Sequence, residues 1–221
     1  MAEILAGRAE DRGRRDLRVL DLCAAPGGKT AVLAERLPEA EITAVDVSRK
    51  RLLALGERVD LQRAEREGRL RLKLGDAAAM ELTPEYGLIL CDVPCSGTGT
   101  MARNPEIRLR AREADLARQA ARQKAILLAG LKGLAAGGRL VYSTCSLEPE
   151  ENEAVVEEVL REMAGVRVVP MDEVLDGLAA SGVLTAEGRE GLRGATEGAY
   201  LRTIPGMQPC DGFFAAVVER E

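Results

Sequence analysis

The sequence predicts an α/β domain in which helices cover both faces of a doubly wound, mostly parallel β-sheet. Two observations lead to this class. Short apolar runs alternate with longer amphipathic stretches along the chain, which is the pattern of repeated strand–helix–strand units. The first apolar run ends in a glycine-rich turn that leads into a helical stretch, as in the nucleotide-binding corner of such folds. No apolar run reaches the roughly 20 residues of a membrane helix.

In the first part of the chain, each expected strand is a short apolar run, and each expected helix is a longer run with polar residues on one side. The strands follow one another with a helix between most of them, so parallel pairing is expected. The expected elements are, in order, strand 17–22, helix 29–37, strand 42–45, helix 48–66, strand 69–74 and strand 86–91.

The second part of the chain continues this alternation and then ends in strands. Several glutamates open the stretch at 149–163, and acidic side chains suit the first turn of a helix. The last two apolar runs can pair with each other as a hairpin. The expected elements are helix 111–135, strand 138–143, helix 149–163, strand 166–169, a weakly patterned stretch at 172–194, and strands 199–204 and 212–218.

The charge of the chain is unevenly distributed. The net charge is −5, but residues 1–147 carry +5 and residues 148–221 carry −10. Basic side chains concentrate in residues 49–73 and 103–124. Such clusters are either solvated helix faces or a surface for an anionic ligand. The acidic total therefore does not exclude RNA, although we expect RNA binding by this chain to be weak and sensitive to salt.

The chain contains no histidine and five cysteines. The absence of histidine excludes Ser-His-Asp and Cys-His nucleophile pairs, imidazole acid–base catalysis and histidine metal sites. An odd number of cysteines in a chain of this length favours a reduced, cytoplasmic protein over a disulfide scaffold. Any chemistry must therefore use carboxylates, amines, thiols, backbone groups or a cofactor.

The run DLCAAPGGKT at residues 21–30 follows the first expected strand. Gly27 and Gly28 lack a Cβ atom, so the backbone can approach a ligand closely. The final GKT resembles the end of a phosphate-binding loop. That loop requires glycine where this chain has Cys23, however, and Pro26 removes a backbone N–H that would contact phosphate. An adenosine-bearing cofactor is therefore favoured over ATP.

Acidic residues at the ends of the next strands support that preference. Asp46 stands about 20 residues beyond the glycine turn, where dinucleotide-type folds place the acid that binds ribose hydroxyls. Asp76 follows the third strand, from which it can reach an adenine amino group. Together with Asp21, these acids favour a cationic adenosine cofactor, and S-adenosylmethionine fits that description.

Two loops that contain cysteine follow the fourth and fifth expected strands. They read CDVPCSGTGT at residues 91–100 and YSTCSLEPEENE at residues 142–153. Ligands bind at the carboxyl ends of the strands in such sheets. We therefore expect Asp92, Cys95 and Cys145 to converge near the cofactor.

These motifs resemble a known family. The runs DLCAAPGGKT, DVPCSGTG and YSTCSLEPEENE, with the closing PCDGFFAA, are similar to the signature motifs of the Nop/Sun-type RNA cytosine-5 methyltransferases. The stretch TMARNPEIRLR is most similar to the bacterial Sun branch, which methylates 16S ribosomal RNA. The resemblance runs from about residue 17 to residue 218. It implies a Rossmann-like S-adenosylmethionine-dependent methyltransferase fold, with a mostly parallel seven-stranded sheet and a C-terminal antiparallel hairpin.

The resemblance also implies a role for each catalytic residue. Cys145 would add to cytosine C6, which makes C5 nucleophilic toward a sulfonium methyl group. Asp92 would share a proton with N3 of the base, and Cys95 would assist the later elimination. Lys29 would lie near the base and could lower the pKa of the nucleophile. The expected cofactor-binding residues are Cys23, Ala24, Ala25, Pro26, Gly27, Gly28, Lys29, Asp46, Arg51, Asp76 and Asp92.

The domain organisation follows from the same resemblance. Family members carry an upstream RNA-binding region, to which the first 16 residues show no match. We therefore expect a short N-terminal extension at residues 1–16 and a single catalytic domain at residues 17–221. The expected cofactor is S-adenosylmethionine and the expected partner is single-stranded or loop RNA. We expect no metal, no membrane partner and a monomer.

Three alternatives stay open at this point. A DNA cytosine-5 methyltransferase would use Cys95 as its nucleophile, and the presence of Cys145 in a TCS motif argues against it. A non-catalytic RNA-binding or ribosome-assembly module could use the same fold, although the intact cysteines and Asp92 count against loss of activity. A phosphate-loop NTPase is the least favoured.

Overall fold

The computed structural model describes residues 1–7, 14–58, 61–110 and 112–221. A mixed β-sheet forms the centre of this part of the chain. Its strands are β1 (Arg18–Asp21), β2 (Glu41–Asp46), β3 (Leu70–Leu74), β4 (Tyr86–Asp92), β5 (Leu134–Thr144), β6 (Val166–Val169), β7 (Thr196–Glu197), β8 (Tyr200–Thr203) and β9 (Phe213–Arg220).

The strand order confirms the expected α/β class. The sheet runs β3-β2-β1-β4-β5-β9-β8-β7, and the five strands from β3 to β5 are parallel. β9 is antiparallel to β5, and its other edge is shared by β8 and β6. β8 and β9 form the expected hairpin, with Leu201 opposite Ala215. Within the described residues the sheet has nine strands rather than seven, because β6 and the short β7 also join its antiparallel edge.

Helices connect the strands and cover the sheet. No helix among the residues described is long and apolar enough to cross a membrane. The α-helices of the described residues are α1 (Ala2–Ala6), α2 (Gly28–Arg36), α3 (Arg49–Gly56), α4 (Gln62–Arg66), α5 (Ile107–Arg110), α6 (Glu113–Gly133), α7 (Glu153–Glu162), α8 (Met171–Ala180) and α9 (Ala186–Gly191).

Alternate residues of the central strands point to opposite faces, as the period of a strand requires. In β4, Leu88 and Leu90 belong to the core under α1, α2 and α8, whereas Ile89 and Cys91 belong to the core under α6 and α7. The sheet is therefore buried on both sides. This explains why its parallel strands read as nearly continuous apolar runs.

The expected long helix at residues 48–66 was wrong. α3 begins after its N-cap Ser48 and ends at Gly56, and α4 is a separate helix. Glycine is a poor helix former, and its position near the middle of the expected helix coincides with the end of α3. Residues 59–60 of the expected helix lie outside the described residues.

Other expected boundaries differ by a few residues. α6 ends at Gly133. β5 starts at Leu134 rather than at residue 138, because Leu134 already pairs with Tyr86, ahead of an irregularity in the register between Tyr86 and Leu88. The expected helix at 149–163 opens with a 3₁₀ turn at Pro149–Glu151 before α7. Residue 111, the expected start of α6, lies outside the described part.

Besides the short helix α5, which precedes the expected helix at 111–135, two helical regions were not predicted. The weakly patterned stretch at 172–194 contains α8 and α9. α8 buries Met171, Val174, Leu175 and Leu178, which is the i, i+3, i+4, i+7 spacing of an amphipathic helix. That signal is present in the sequence. α1 is too short for such periodicity to be recognisable, and its burial depends on contacts with the rest of the molecule.

Candidate active site

The candidate residues meet at the edge of the sheet where the parallel strands end. β1 ends at Asp21, β2 at Asp46 and β4 at Asp92, while Asp76 lies two residues after the end of β3 and Cys145 directly follows β5. Polar side chains from distant parts of the sequence are thus gathered at the edge where ligands bind in this type of sheet.

The glycine turn between β1 and α2 is held against the end of β2. Ala24 N donates a hydrogen bond to Val45 O at 2.9 Å, and Gly27 N donates to Ala24 O at 2.8 Å. Gly27 is the N-cap of α2 and has φ 98°, a left-handed conformation that favours glycine. The glycine turn and the start of the loop after β2 therefore form one side of the site.

Asp46 connects the turns that follow β1 and β2. Its carboxylate is buried, and Oδ2 accepts a hydrogen bond from Ala25 N at 3.3 Å. Oδ1 accepts from Ser48 N at 2.7 Å and from Arg51 Nη2 at 2.9 Å. The side chain is held in one place by these donors, at the position expected for an acid that binds ribose hydroxyls.

A cavity of about 230 Å³ lies between the glycine turn and the strand ends. Asp76 lies at its border, where Oδ1 accepts hydrogen bonds from Ala78 N at 3.1 Å and Arg122 Nη2 at 3.3 Å. The cavity is lined by Leu22, Cys23, Ala25, Asp46, Val47, Arg51, Gly75, Asp76, Ala77, Asp92, Val93, Pro94, Cys95, Arg122, Ile126 and Cys145.

Asp92 is held on both carboxylate oxygens. Lys29 Nζ lies 2.6 Å from Oδ2, and Ser143 Oγ donates to Oδ1 at 2.7 Å. Lys29 and Asp92 keep about a third and a quarter of their side-chain surface exposed, at 35% and 26%. The pair is thus partly open to a ligand, and the lysine ammonium can stabilise negative charge in the cavity.

The two loop cysteines are in contact. The Sγ atoms of Cys95 and Cys145 lie 3.4 Å apart, within hydrogen-bonding distance for sulfur, and neither thiol is in a disulfide. Gly99 N donates to Cys145 O at 2.9 Å, which joins the two loops through the backbone. Gly97, which lies between Cys95 and Gly99 in the sequence, adopts a left-handed φ of 75°. The geometry therefore makes a thiol pair at the border of the cavity.

The hydrogen bond between the sulfur atoms separates the acidities of the two thiols. It lowers the pKa of Cys145 and raises the pKa of Cys95, and burial raises the pKa of Cys95 further. Near Cys145, the charge of Asp92 raises the pKa more than the charge of Lys29 lowers it. Cys145 is therefore the more acidic thiol of the pair, mainly because of its hydrogen bond with Cys95.

A second cleft, of about 410 Å³, opens on the other side of Cys95. Its wall combines apolar side chains of Ile107 and Leu116 with the cationic side chains of Arg112 and Arg118. The complete lining is Cys95, Ser96, Thr98, Ile107, Arg112, Asp115, Leu116, Arg118, Gln119 and Glu148. Cys95 thus borders both spaces, and the lining of the second cleft carries two arginines together with the carboxylates of Asp115 and Glu148.

The expected cofactor-binding residues divide into two groups. Those that line the cavity are Cys23, Ala25, Asp46, Arg51, Asp76 and Asp92. Those outside its lining are Ala24, Pro26, Gly27, Gly28 and Lys29. Gly28 instead borders a different cleft, which α2 shares with residues of α4. Among the described residues, no group of three or more Cys, Asp or Glu side chains could hold a metal ion.

Sequence reasoning missed Ser143, and it did not foresee that Asp21, which it named, is buried. Ser143, which positions Asp92, lies two residues before Cys145 in the TCS-containing run, so proximity in sequence was the available signal. Asp21 is fully buried behind the site and accepts a hydrogen bond from Thr30 Oγ1 at 2.8 Å. Burial raises the pKa of Asp21 to about 7, and it raises the pKa of the Cys23 thiol to about 12.

Comparison with known proteins adds an independent finding. The family model described as 16S rRNA methyltransferase RsmB/F matches residues 5–219. Ribosomal RNA small subunit methyltransferase B of Xanthomonas campestris pv. campestris is 36% identical over 202 residues, which are 91% of this chain and 42% of the relative. The corresponding protein of Vibrio cholerae serotype O1 is 34% identical over 206 residues, which are 92% of this chain and 41% of the relative. The chain spans less than half the length of these curated relatives.

Solved structures are similar over nearly the whole chain. NSun6 from Pyrococcus horikoshii, crystallised with SFG, an analogue of S-adenosylmethionine, superimposes with a TM-score of 0.73 at 27% identity. The match covers 99% of this chain and 51% of that protein. A methyltransferase homologue from the same organism gives a TM-score of 0.68 at 31% identity and covers 100% of this chain and 66% of that one. The expected Rossmann-like methyltransferase fold is confirmed.

Proposed function

Because this chain belongs to the RsmB/F family of 16S rRNA methyltransferases, we propose that it methylates C5 of a cytosine in small-subunit ribosomal RNA with S-adenosylmethionine as methyl donor. The observation that carries this proposal is the thiol pair of Cys95 and Cys145, which borders a cavity lined by acidic residues. The order of events follows from the residues of the site.

The acidic side of the cavity suits an adenosine-bearing cation. S-adenosylmethionine, when bound, supplies an electrophilic methyl group on its sulfonium centre. Asp46 would accept hydrogen bonds from ribose hydroxyls, and Asp76 would accept one from the adenine amino group. Both residues line the cavity in which the cofactor would lie, and their negative charges would attract its positive charge.

Cys145 is the nucleophile of the proposed reaction. Its thiolate adds to C6 of the cytosine, a C–S bond forms, and the displaced electron pair makes C5 nucleophilic toward the methyl group. Cys95 stabilises the thiolate before attack, because its S–H donates to Cys145 Sγ. A thiol in place of histidine therefore assists ionisation in a chain that contains no histidine.

Asp92 and Lys29 serve the pyrimidine ring. Negative charge that develops on the ring can be stabilised by a proton shared with N3. Asp92, which lines the cavity, would share that proton. Ser143 and Lys29 each hold one oxygen of Asp92, so its carboxyl group cannot rotate freely. Lys29 thus acts on the base through Asp92 as well as through its own charge.

Cys95 acts in the release step. After methyl transfer the proton on C5 passes to solvent, its electron pair re-forms the C5–C6 double bond, and the C6–S bond breaks so that Cys145 leaves as a thiolate. The Cys95 thiol keeps its proton because its pKa is raised, and it can therefore donate a hydrogen bond to the departing sulfur.

The second cleft, next to Cys95, is the space proposed for the RNA strand. Arg112 and Arg118 would contact phosphates, while Ile107 and Leu116 offer an apolar surface for a base. A cytosine must leave a base stack to reach Cys145, so a single-stranded or loop nucleotide is the substrate of choice.

The activity is tested by incubating the chain with S-adenosylmethionine and 16S rRNA and mapping 5-methylcytosine by bisulfite sequencing. Cys145→Ala should abolish methylation, because it removes the proposed nucleophile, whereas Cys210→Ala, which changes an exposed cysteine, should leave the rate unchanged. Cys95→Ala should accumulate a covalent RNA–protein complex that survives denaturation. RNA binding by the wild type without any methylation would instead support the non-catalytic module.

Cofactor binding is tested separately by calorimetry. Asp46→Ala should weaken S-adenosylmethionine binding by about tenfold or more, because hydrogen bonds to a charged group contribute about 1.5–3 kcal/mol. Glu173→Ala, which removes an exposed carboxylate on α8, is the matched control and should bind the cofactor as the wild type does. Unchanged affinity in Asp46→Ala would contradict the ribose assignment.

A further inference from the structure

Glu151 is a buried carboxylate that the mechanism above does not use. It has no exposed surface and lies in the 3₁₀ turn between β5 and α7. Its oxygens accept hydrogen bonds from Ser96 N at 2.9 Å, from Ser96 Oγ at 2.5 Å and from Gln123 Nε2 at 2.9 Å. These donors come from two other segments of the chain, the loop after β4 and the middle of α6.

Burial of this carboxylate is costly, and its donors within the described part of the chain, from Ser96 and Gln123, are neutral. A charged group taken out of water destabilises the fold unless its hydrogen-bonding capacity is satisfied. Backbone and side-chain donors satisfy both oxygens of Glu151. Such an arrangement fixes the donors in position, because any displacement of them would leave a buried charge without partners.

The segments that Glu151 holds are those on either side of the thiol pair. Ser96 follows Cys95 directly, and Gln123 Nε2 also donates to Pro94 O at 3.0 Å, on the other side of that cysteine. Ser96 Oγ lies 3.0 Å from Ser146 Oγ, and Ser146 follows Cys145. The hydrogen bonds of one carboxylate thus reach the backbone neighbours of both thiols.

We propose that Glu151 is a positioning residue that holds the Cys95 thiol against Cys145 Sγ for the release of the methylated RNA. This inference rests on the proposed function, because it extends the role of Cys95 in that reaction. The sulfur–sulfur hydrogen bond already spans 3.4 Å, so a shift of the Cys95 loop by about 1 Å would break it. Cys145 would then still attack C6, but its departure would lack the Cys95 donor.

Glu151→Gln is the variant that tests this role. Glutamine has nearly the same volume, but its NH₂ group donates where the carboxylate accepted, so it faces the donors of Ser96. The Cys95 loop should move while the Cys145 loop keeps its own backbone bonds. Glu150→Gln is the matched control, because Glu150 is the exposed neighbour in the same turn.

Steady-state methylation of 16S rRNA, with denaturing gels to detect covalent complex, gives the first readout. In Glu151→Gln we expect kcat to fall at least tenfold, KM for RNA to stay within threefold, and the denaturation-resistant complex to accumulate as in Cys95→Ala. Glu150→Gln should match the wild type in all three measurements. Loss of activity without trapped complex would mean that Glu151 serves only the fold and would overturn the proposal, as would an unchanged kcat.

A second readout does not depend on catalysis. Diamide oxidises two neighbouring thiols to a disulfide and takes up their two protons and two electrons, so the rate of Cys95–Cys145 disulfide formation reports how often the sulfurs meet. Peptide mapping by mass spectrometry should show this rate reduced at least tenfold in Glu151→Gln. An unchanged rate would overturn the positioning role even if the wild type fails to methylate RNA, an outcome that would contradict the proposed function alone.

Ser96→Ala provides the same test without altering the buried charge. It removes the hydroxyl that joins Glu151 to Ser146 and keeps the bond from Ser96 N. If Glu151→Gln does not fold, Ser96→Ala should still slow disulfide formation and trap covalent complex. Wild-type behaviour of Ser96→Ala in both readouts would refute the proposed connection.

Discussion

A nucleophilic thiol needs a neighbour that stabilises its negative charge, and this chain contains no histidine to do so. The neighbour of Cys145 is the thiol of Cys95, whose Sγ atom lies 3.4 Å away. The hydrogen bond between the two sulfur atoms, together with burial, raises the pKa of Cys95, and the same bond lowers the pKa of Cys145. Their environments, and not their chemistry, therefore give two identical residues different pKa values.

Asp21 is the carboxyl group that departs most clearly from the behaviour of a surface acid. It is 1% exposed, and Oδ1 has no donor among the described residues. Burial raises its pKa to about 7 from 3.8, and the negative charge of Asp92 adds to that effect. The folded protein therefore binds a proton at this position over a pH range in which the unfolded chain has released it.

This shift predicts how stability depends on pH. Since the folded pKa is raised, the protonated Asp21 favours folding at low pH, and the advantage is lost as pH rises from about 4 to about 7. Between pH 5 and pH 8, the free energy of unfolding of the wild type should fall by about 2–3 kcal/mol more than that of Asp21→Asn. Urea unfolding at both pH values measures the difference.

The control for this prediction is Glu106→Gln, which changes an exposed carboxyl group on the rim of the molecule. Its pH dependence should parallel that of the wild type. Equal slopes in wild type and Asp21→Asn would mean that Asp21 is ionised in the folded protein, and the shift would then be refuted.

At the start of α2, two adjacent glycines differ in backbone conformation and in the space around them. Gly27, the N-cap, has φ 98°, and a Cβ atom there would come within 2.9 Å of Leu55 Cγ. Gly28, the first residue of the helix, has open space where its Cβ would lie. Two adjacent glycines that look alike in the sequence therefore have different requirements.

Gly27→Ala should lower the free energy of unfolding by about 1–3 kcal/mol, because alanine is strained in the left-handed region and its methyl group would contact Leu55. Gly28→Ala should leave stability unchanged or raise it by up to about 1 kcal/mol, since alanine is the better helix former. Chemical denaturation of both variants provides the comparison. A larger loss in Gly28→Ala than in Gly27→Ala would contradict the conformation of the turn.

At the scale of the whole molecule, α1 belongs to the packed core although it lies within the region expected to be a short extension. Leu5 is fully buried with Ala6, and α1 packs against α2 and α8. Arg36 of α2 also donates to Glu3 at 2.8 Å. α1 therefore contributes to the core although it precedes residue 17, where the catalytic domain is expected to begin.

Leu5→Ala should lower the free energy of unfolding by about 2–4 kcal/mol, because it leaves a cavity between α1 and the sheet. Leu109→Ala is the matched control, since Leu109 is 88% exposed and its removal should change stability by less than about 0.5 kcal/mol. Thermal unfolding of the two variants distinguishes a packed N-terminal helix from a loose one. Equal melting temperatures would contradict the packing of α1.

The sequence by itself predicted the class of the fold and the location of the candidate site. Apolar runs that alternate with amphipathic stretches specify strands and helices, and the polar residues that follow successive parallel strands must meet at one edge of the sheet. The glycine turn, Asp46 and the two cysteine loops could be found for this reason. Element ends were less certain, because residues such as Gly56 and Leu134 are read locally but are decided by their tertiary neighbours.

Only the tertiary structure decided which side chains act on one another. Lys29 and Asp92 are 63 residues apart in the sequence, Cys95 and Cys145 are 50 apart, and Ser96 and Glu151 are 55 apart. The order of the strands predicts that Asp92, Cys95 and Cys145 lie at one edge of the sheet, but it does not predict which side chains form hydrogen bonds, because those distances depend on how loops from different strands pack together. The same packing brings the two sulfur atoms into the hydrogen bond that separates their pKa values, and it gives the buried Glu151 its place between the cysteine loops.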